Sequence, residues 1–526
     1  MIYVIGSGPS GVASTYALLK RGCEVTMLDA GINLENDRQN LLKKIQKTPF
    51  EKWDPTILQL FKSNTKSSIQ GIPMKMAYGS DFPFQKIFEF GGIETNNVGC
   101  LPTLSRGGFS SIWGANVLPY RDEDISGWPI TSKDLRPHYE AVSELLTIAG
   151  FLDDLEELFP SVSKMHEFSE SSQARSLLKD LNKHKTILRA NGIFFGHSRL
   201  AVRFYDTHEG PGCVYCGLCM YGCPHELIYN SSHSIKKLME FPKFHYQGNV
   251  YVEKISEQDT DISIYGSSID NHSSVVFKGR QVFLACGPIA TTKILMESEN
   301  LFNVSLKMKD SQYFLLPCLR FRSDSAAEEE RLHTLSQVYL EILDTNLSHR
   351  LIHLQCYMYN DLYELALKNL FGPFYTILKF FIKPLLRRLI VIQGYLHSEN
   401  SSHIEIWIDK KDKKTLLRLK GIENWQGRKI VRKVVSKLYK YRKLLGMIPL
   451  APLLRVAEPG RGYHTGGTFP MNQKPGRFET DILGRPNGFK RLHVVDSTIF
   501  PSIPATTITF TSMANAHRIA SEVELL

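Results

Sequence analysis

The chain has 526 residues, too long for one hydrophobic core, and its 43% apolar and 22% charged composition excludes a disordered or fibrous protein. A net charge of +10 fits an anionic partner or a solvated basic surface, and nothing in its distribution points to nucleic acid. Nine cysteines, an odd number with four bunched together, argue against a disulfide framework. No apolar run reaches the roughly 18 residues of a membrane span. The first strand begins at residue 2, leaving no room for a signal peptide, so a cytoplasmic protein is expected.

In chain order, an apolar strand, Ile2 to Ile5, runs into Gly6-Ser7-Gly8-Pro9-Ser10-Gly11, then a helix, then a strand from Glu24 to Leu28 ending in Asp29. This is a βαβ dinucleotide fingerprint. Gly6 permits the tight turn, Gly8 lets backbone N–H groups approach a pyrophosphate, and Gly11 lets helix and strand pack closely. Asp29 falls where a ribose hydroxyl is held. Residues 32–96 predict only short helices. A second small-residue loop follows, with Gly107, Gly108, Ser110, Ser111, Trp113, Gly114, Ala115 and Asn116 as candidates to lie against a flat ring or a diphosphate.

The pairing of the fingerprint with GGFSSIWGANVLPY, then Gly127-Trp128-Pro129-Ile130 and Asp134-Leu135-Arg136-Pro137-His138-Tyr139-Glu140, resembles the glucose-methanol-choline (GMC) oxidoreductases, FAD enzymes that oxidise alcohols. The resemblance implies FAD rather than NAD. It also implies an α/β fold, with a Rossmann-like FAD-binding domain and a second, antiparallel-sheet substrate domain.

Cys213, Cys216, Cys219 and Cys223 have the CxxCxxCxxxCP spacing of a bacterial ferredoxin run. Iron–sulfur ligation, zinc and a thiol-lined structural loop are all open readings. A cluster would give electrons a route from a flavin to a redox partner.

Val250 to Val252 is expected to be the strand whose backbone contacts the adenine, with Val252 as its marker. Gly279 to Thr292 reads as a strand, rejoining the parallel sheet, that runs into a small-residue turn, followed by a helix from Lys293 to Glu297. From Tyr313 to Phe321, Ser336 to Ile342 and Arg350 to Met358 the period is two, predicting an antiparallel lobe continued by Val391 to Leu396 and His403 to Ile408.

No acidic residue occurs between Glu364 and Glu399, and Lys379, Lys383 and Arg387 recur every four residues beside Phe380, Phe381, Ile382 and Leu385. Pro373 and Pro384 are expected to break this stretch into short helices. Residues 366–392 read either as an interfacial segment on an anionic membrane or as a core-packed helical pair with snorkelling lysines.

Near the C-terminus, Gly462-Tyr463-His464-Thr465-Gly466-Gly467 resembles the family segment carrying the catalytic histidine, and His464 is the expected base for the substrate hydroxyl. The family usually has a second His or Asn before its last helix. Here that place holds Thr506-Thr507, and Thr507 can only hold a substrate oxygen by hydrogen bond. A strand from Leu492 leads to Asp496, expected to close over the cofactor with the helix that follows, where Thr509 is a further candidate.

The expected organisation is an FAD-binding domain from 1–140, 245–300 and 480–526, with a substrate domain from 141–244 and 301–479. The expected reaction is oxidation of a CH–OH group, on a sugar, a lipid-linked sugar or a long-chain alcohol. The rival reading is a flavin and iron–sulfur electron carrier without an alcohol substrate.

Overall fold

A computed structural model describes residues 1–62, 76–207, 210–411 and 414–526. The part of the 32–96 expectation on residues 63–75 lies outside the described residues.

Five parallel strands form the first sheet, in the order Leu492–Val494, Gln281–Leu284, Ile2–Ile5, Val25–Leu28 and Phe244–Gln247. The chain therefore leaves this sheet and returns to it near its C-terminus. Helix Pro9–Lys20 lies against it with every residue from Ser10 to Leu19 buried, as a helix covered on all sides requires. Its other side packs on the C-terminal helix Thr509–Glu522. The close approach depends on Gly11: a Cβ there would lie 1.9 Å from the Gly6 carbonyl oxygen.

The second lobe is a seven-stranded antiparallel sheet that includes Ile193–His197, Tyr313–Arg320, Val338–Ile342, Ile352–Tyr357 and Leu389–Tyr395. Alternation decides its two faces. Ile352, Leu354 and Cys356 join Ile390 and Ile392 in a core covered by helices Ser172–Lys183 and Trp425–Lys440. The opposite face carries Gln355, Tyr357, Gln393 and Tyr395 towards the first lobe.

Three expectations change. Strand His403–Lys411 does not continue this sheet but pairs with Leu306–Asp310 and Lys414–Ile422 in a separate one. Gln312 is tied to Ser401 and Ser402, which redirects the chain between the two sheets. The helix expected from Lys293 begins at Pro288, because Gly287 takes φ +81° and proline is preorganised for a first helical turn. Pro384 does not break helix Tyr375–Leu386; it stands in the last turn, where only the Phe380 carbonyl loses its helical partner.

Candidate active site

Between the lobes lies a cavity of about 450 Å³, bounded at one end by Gly6, Gly8 and Asp29 and at the other by His464 and Thr507. Three helices begin on its wall: Pro9–Lys20 after Gly8, Pro288–Ser298 after Gly287, and Thr509–Glu522. Their free N–H groups and dipoles make the wall receptive to anionic groups such as a pyrophosphate.

Gly8 tests independently whether a dinucleotide fits this wall. Its φ of −65° is open to any residue, and a Cβ built on it would meet nothing within 4 Å. The protein itself gives no reason for glycine there; a ligand against the backbone does. Asp29 lies at the same end, accepting hydrogen bonds from the Ser7 hydroxyl at 2.6 Å and the Tyr246 hydroxyl at 3.0 Å. Burial raises its pKa, and these donors with Arg106 work against that rise. Tyr251 and Val252 line the wall nearby. The residues present thus fit a dinucleotide.

The small-residue loop divides by role. Gly108, Ser110, Trp113, Gly114 and Asn116 line the cavity. Gly107, Ser111 and Ala115 do not: Gly107 donates its N–H to Ser7 at 2.8 Å, Ser111 bonds back to the Gly108 carbonyl, and the Ala115 carbonyl accepts from Ala201. These three shape the loop, and Gly11 serves helix packing. Asp496 lines the cavity but spends its carboxylate on Gly287 N–H at 2.8 Å and the Thr291 hydroxyl at 2.6 Å, bracing the turn before a helix N-terminus. Thr509 lines the wall at the start of the last helix.

His464 and Thr507 come together on the same cavity, although 43 positions separate them in sequence. The His464 ring keeps a surface towards the cavity while the protein around it strips away water. That burial, with His353 adding a smaller effect, pushes its pKa down to about 3, so the imidazole is neutral. Its Nδ1 is buried without a hydrogen-bond partner. Thr507 is buried, and its hydroxyl oxygen accepts the Leu118 N–H at 2.9 Å, which leaves its own proton to donate.

Sequence reasoning missed the contribution of the antiparallel sheet. Gln355, Tyr357, Gln393, Tyr395 and Tyr313 line the cavity, together with Arg461. Asn116 binds Gln355 at 3.1 Å, linking the two lobes. The alternation of His353, Gln355 and Tyr357 with Leu354 and Cys356 was the available signal: one face of that strand is polar.

The metal-ligand role expected for Cys213, Cys216, Cys219 and Cys223 is not supported. Among the described residues no group of three or more His, Cys, Asp or Glu is placed to hold a metal ion. The four thiols lie near one another and each also packs: Cys216 sits with Leu218, Tyr221 and Trp53, and Cys213, Cys219 and Cys223 pack on the larger core. Burial, with the neighbouring thiols, pushes Cys216 up to about 12 and Cys223 up to about 11. The run nevertheless borders the cavity, because Met220 is on its wall.

No protein-family model matches the chain, and no curated protein does. Solved structures match in fold. Pyridoxine 4-oxidase from Mesorbium loti superposes with a TM-score of 0.60 at 14% identity, covering 99% of this chain and 98% of that one. Formate oxidase from Aspergillus oryzae RIB40, studied for FAD modification, gives a TM-score of 0.60 at 13% identity, covering 99% and 97%. Another formate oxidase structure gives 0.60 at 14%, with the same coverage. The class defined here is a two-lobed α/β fold with a dinucleotide cradle between a parallel and an antiparallel sheet. Over nearly its whole length the chain shares that fold with these oxidases.

Proposed function

We propose that this chain is an FAD-dependent oxidoreductase of the GMC type that oxidises a CH–OH group. The carrying observation is that neutral His464 and the donor hydroxyl of Thr507 share one cavity with the dinucleotide cradle of Gly6, Gly8 and Asp29. FAD, when bound, supplies the acceptor for the hydride that leaves the carbinol carbon. His464 takes the hydroxyl proton on Nε2, the ring nitrogen not buried in the protein, so one hydride and one proton leave the alcohol and a carbonyl remains. Thr507 donates its hydroxyl proton to the substrate oxygen and orients it. Tyr395 and Tyr313 wall the histidine from bulk water. The fold shared with solved oxidases supports the reaction class; the alcohol itself, sugar or lipid-linked sugar or long-chain, is set by the polar sheet face.

The cysteine run enters this proposal only as packing behind the cofactor loop, and no step passes through it. Iron and acid-labile sulfide, assayed on protein purified without oxygen, test that assignment: matched amounts of both overturn it. The function itself is tested by adding a panel of alcohols without oxygen to protein carrying its flavin. Bleaching by an alcohol is expected. Flavin that bleaches only with a protein redox partner would make the chain an electron carrier instead.

A further inference from the structure

We infer that the helical excursion between strands Ile352–Tyr357 and Leu389–Tyr395 seats the protein on an anionic lipid surface. Two helices build it, Asp361–Phe371 and Tyr375–Leu386, joined through Gly372–Phe374. The second helix faces inward with Tyr375, Ile382 and Leu386, which pack on Tyr363, Leu367 and their neighbours. On a helix bathed in water the opposite face is polar. Here it is the reverse: Phe374 is 68% exposed, Ile377 74%, Phe380 82%, Phe381 69% and Leu385 51%. Ile377, Phe380, Phe381 and Leu385 follow the helical spacing, so they form one continuous ridge.

Charge identifies the occupant. Lys379, Lys383 and Arg387 run beside the ridge at intervals of four residues, and residues 365–398 contain no Asp or Glu. Lys383 and Arg387 share Glu328, whereas Lys379 is exposed, so the flank carries net positive charge. An apolar ridge with a cationic flank matches acyl chains beneath anionic headgroups. The geometry is that of a helix lying in the interface, since no helix of the described residues is long and apolar enough to cross a membrane. The two strands that carry the excursion pair with each other and place Gln355, Tyr357, Gln393 and Tyr395 on the cavity wall. Resting on the function proposed above, this joins the lipid seat directly to the site where an alcohol is oxidised.

The test uses the full chain with its flavin, sedimented with vesicles of phosphatidylcholine alone or with phosphatidylglycerol added; no turnover is needed, so it stands apart from the redox reading. Co-sedimentation with the anionic vesicles is expected. The double variant Phe380→Ser with Phe381→Ser should lower it about tenfold or more, with melting temperature and gel-filtration volume unchanged. Lys379→Glu should lower binding to anionic vesicles about fivefold or more and leave the weaker binding to neutral ones unaltered. The inference is overturned if the protein ignores both vesicles at low salt, or if the Phe380 and Phe381 variant binds as well as the parent. It is equally overturned by a dimer that this variant splits without any lipid binding, which would make the ridge a contact between copies.

Discussion

The ring of Tyr395 lies stacked on the imidazole of His464, with centroids 4.8 Å apart and planes 18° from parallel. The stack joins the antiparallel sheet to the C-terminal segment and covers one face of the histidine. Burial of this kind is the main reason that the His464 pKa falls to about 3. A histidine with a lowered pKa keeps its neutral, proton-accepting form as pH drops. Alcohol-driven flavin reduction should therefore hold level from about pH 8 down to about pH 5, where an ordinary histidine, with a pKa of about 6.5, would already be protonated. Tyr395→Phe keeps the ring and should keep that profile. Tyr395→Ala admits water, returns His464 towards its ordinary pKa, and should make the rate fall about tenfold per pH unit below roughly pH 6.5. Stopped-flow reduction across pH checks both; an acid limb in the parent enzyme would contradict the assignment.

Thr507 does two things at once, and the variants separate them. Its oxygen accepts the buried Leu118 N–H. Thr507→Val removes that acceptor and should cost about 1–3 kcal/mol of stability, read as a lower melting temperature, together with a loss of reduction rate. Thr507→Ser retains the hydroxyl and should recover most of both.

The dinucleotide cradle predicts graded losses. Gly11→Ala forces a methyl into the Gly6 carbonyl and should give protein without flavin or no folded protein. Asp29→Asn is the milder change, because the site keeps its shape and its contact with Ser7. It should purify folded and hold FAD about tenfold or more weakly, measured by flavin fluorescence on dilution. Unaltered flavin retention in Asp29→Asn would remove this residue from the cofactor site.

His333 is a buried histidine outside the reaction. It is 1% exposed, both ring nitrogens lack partners, and Phe168 and Phe204 each lie 4.9 Å away between centroids. Burial lowers its pKa to about 3. The unfolded chain takes up a proton on this residue below about pH 6.5 and the folded chain does not, so acid costs stability between about pH 6.5 and 3. His333→Phe abolishes that loss. Relative to the parent, the variant should gain about 1.4 kcal/mol for each pH unit below 6.5, measured by denaturant unfolding at several pH values. A difference independent of pH would show that His333 titrates in the folded state.

Much of the cofactor end was legible because its constraints are local. Gly6, Gly8 and Gly11 sit in one turn, and Asp29 follows at the end of the next strand, so spacing alone carried the geometry. His464 and Thr507 were legible only through resemblance to known segments; nothing local distinguishes either residue from a packed one. Gln355, Tyr357, Gln393 and Tyr395 were missed because strand period gives two faces without saying which one meets the cavity. That choice is made by helices Ser172–Lys183 and Trp425–Lys440 covering the other side. The cysteine run was legible as a motif but not as a site. Tyr215, Gly217 and Gly222 all take positive φ, so the run folds into tight turns that keep its four thiols near one another, and spacing alone does not decide between packing and ligation.

The most direct measurement follows bound flavin through oxygen-free mixing with an oxidisable alcohol, comparing the parent with His464→Ala. The parent should arrive with flavin and bleach in a single turnover. The variant should arrive with the same flavin and bleach about 10²–10⁴ times more slowly, because only the proton acceptor has gone. Equal rates in the two proteins would contradict the account and return His464 to a packing role.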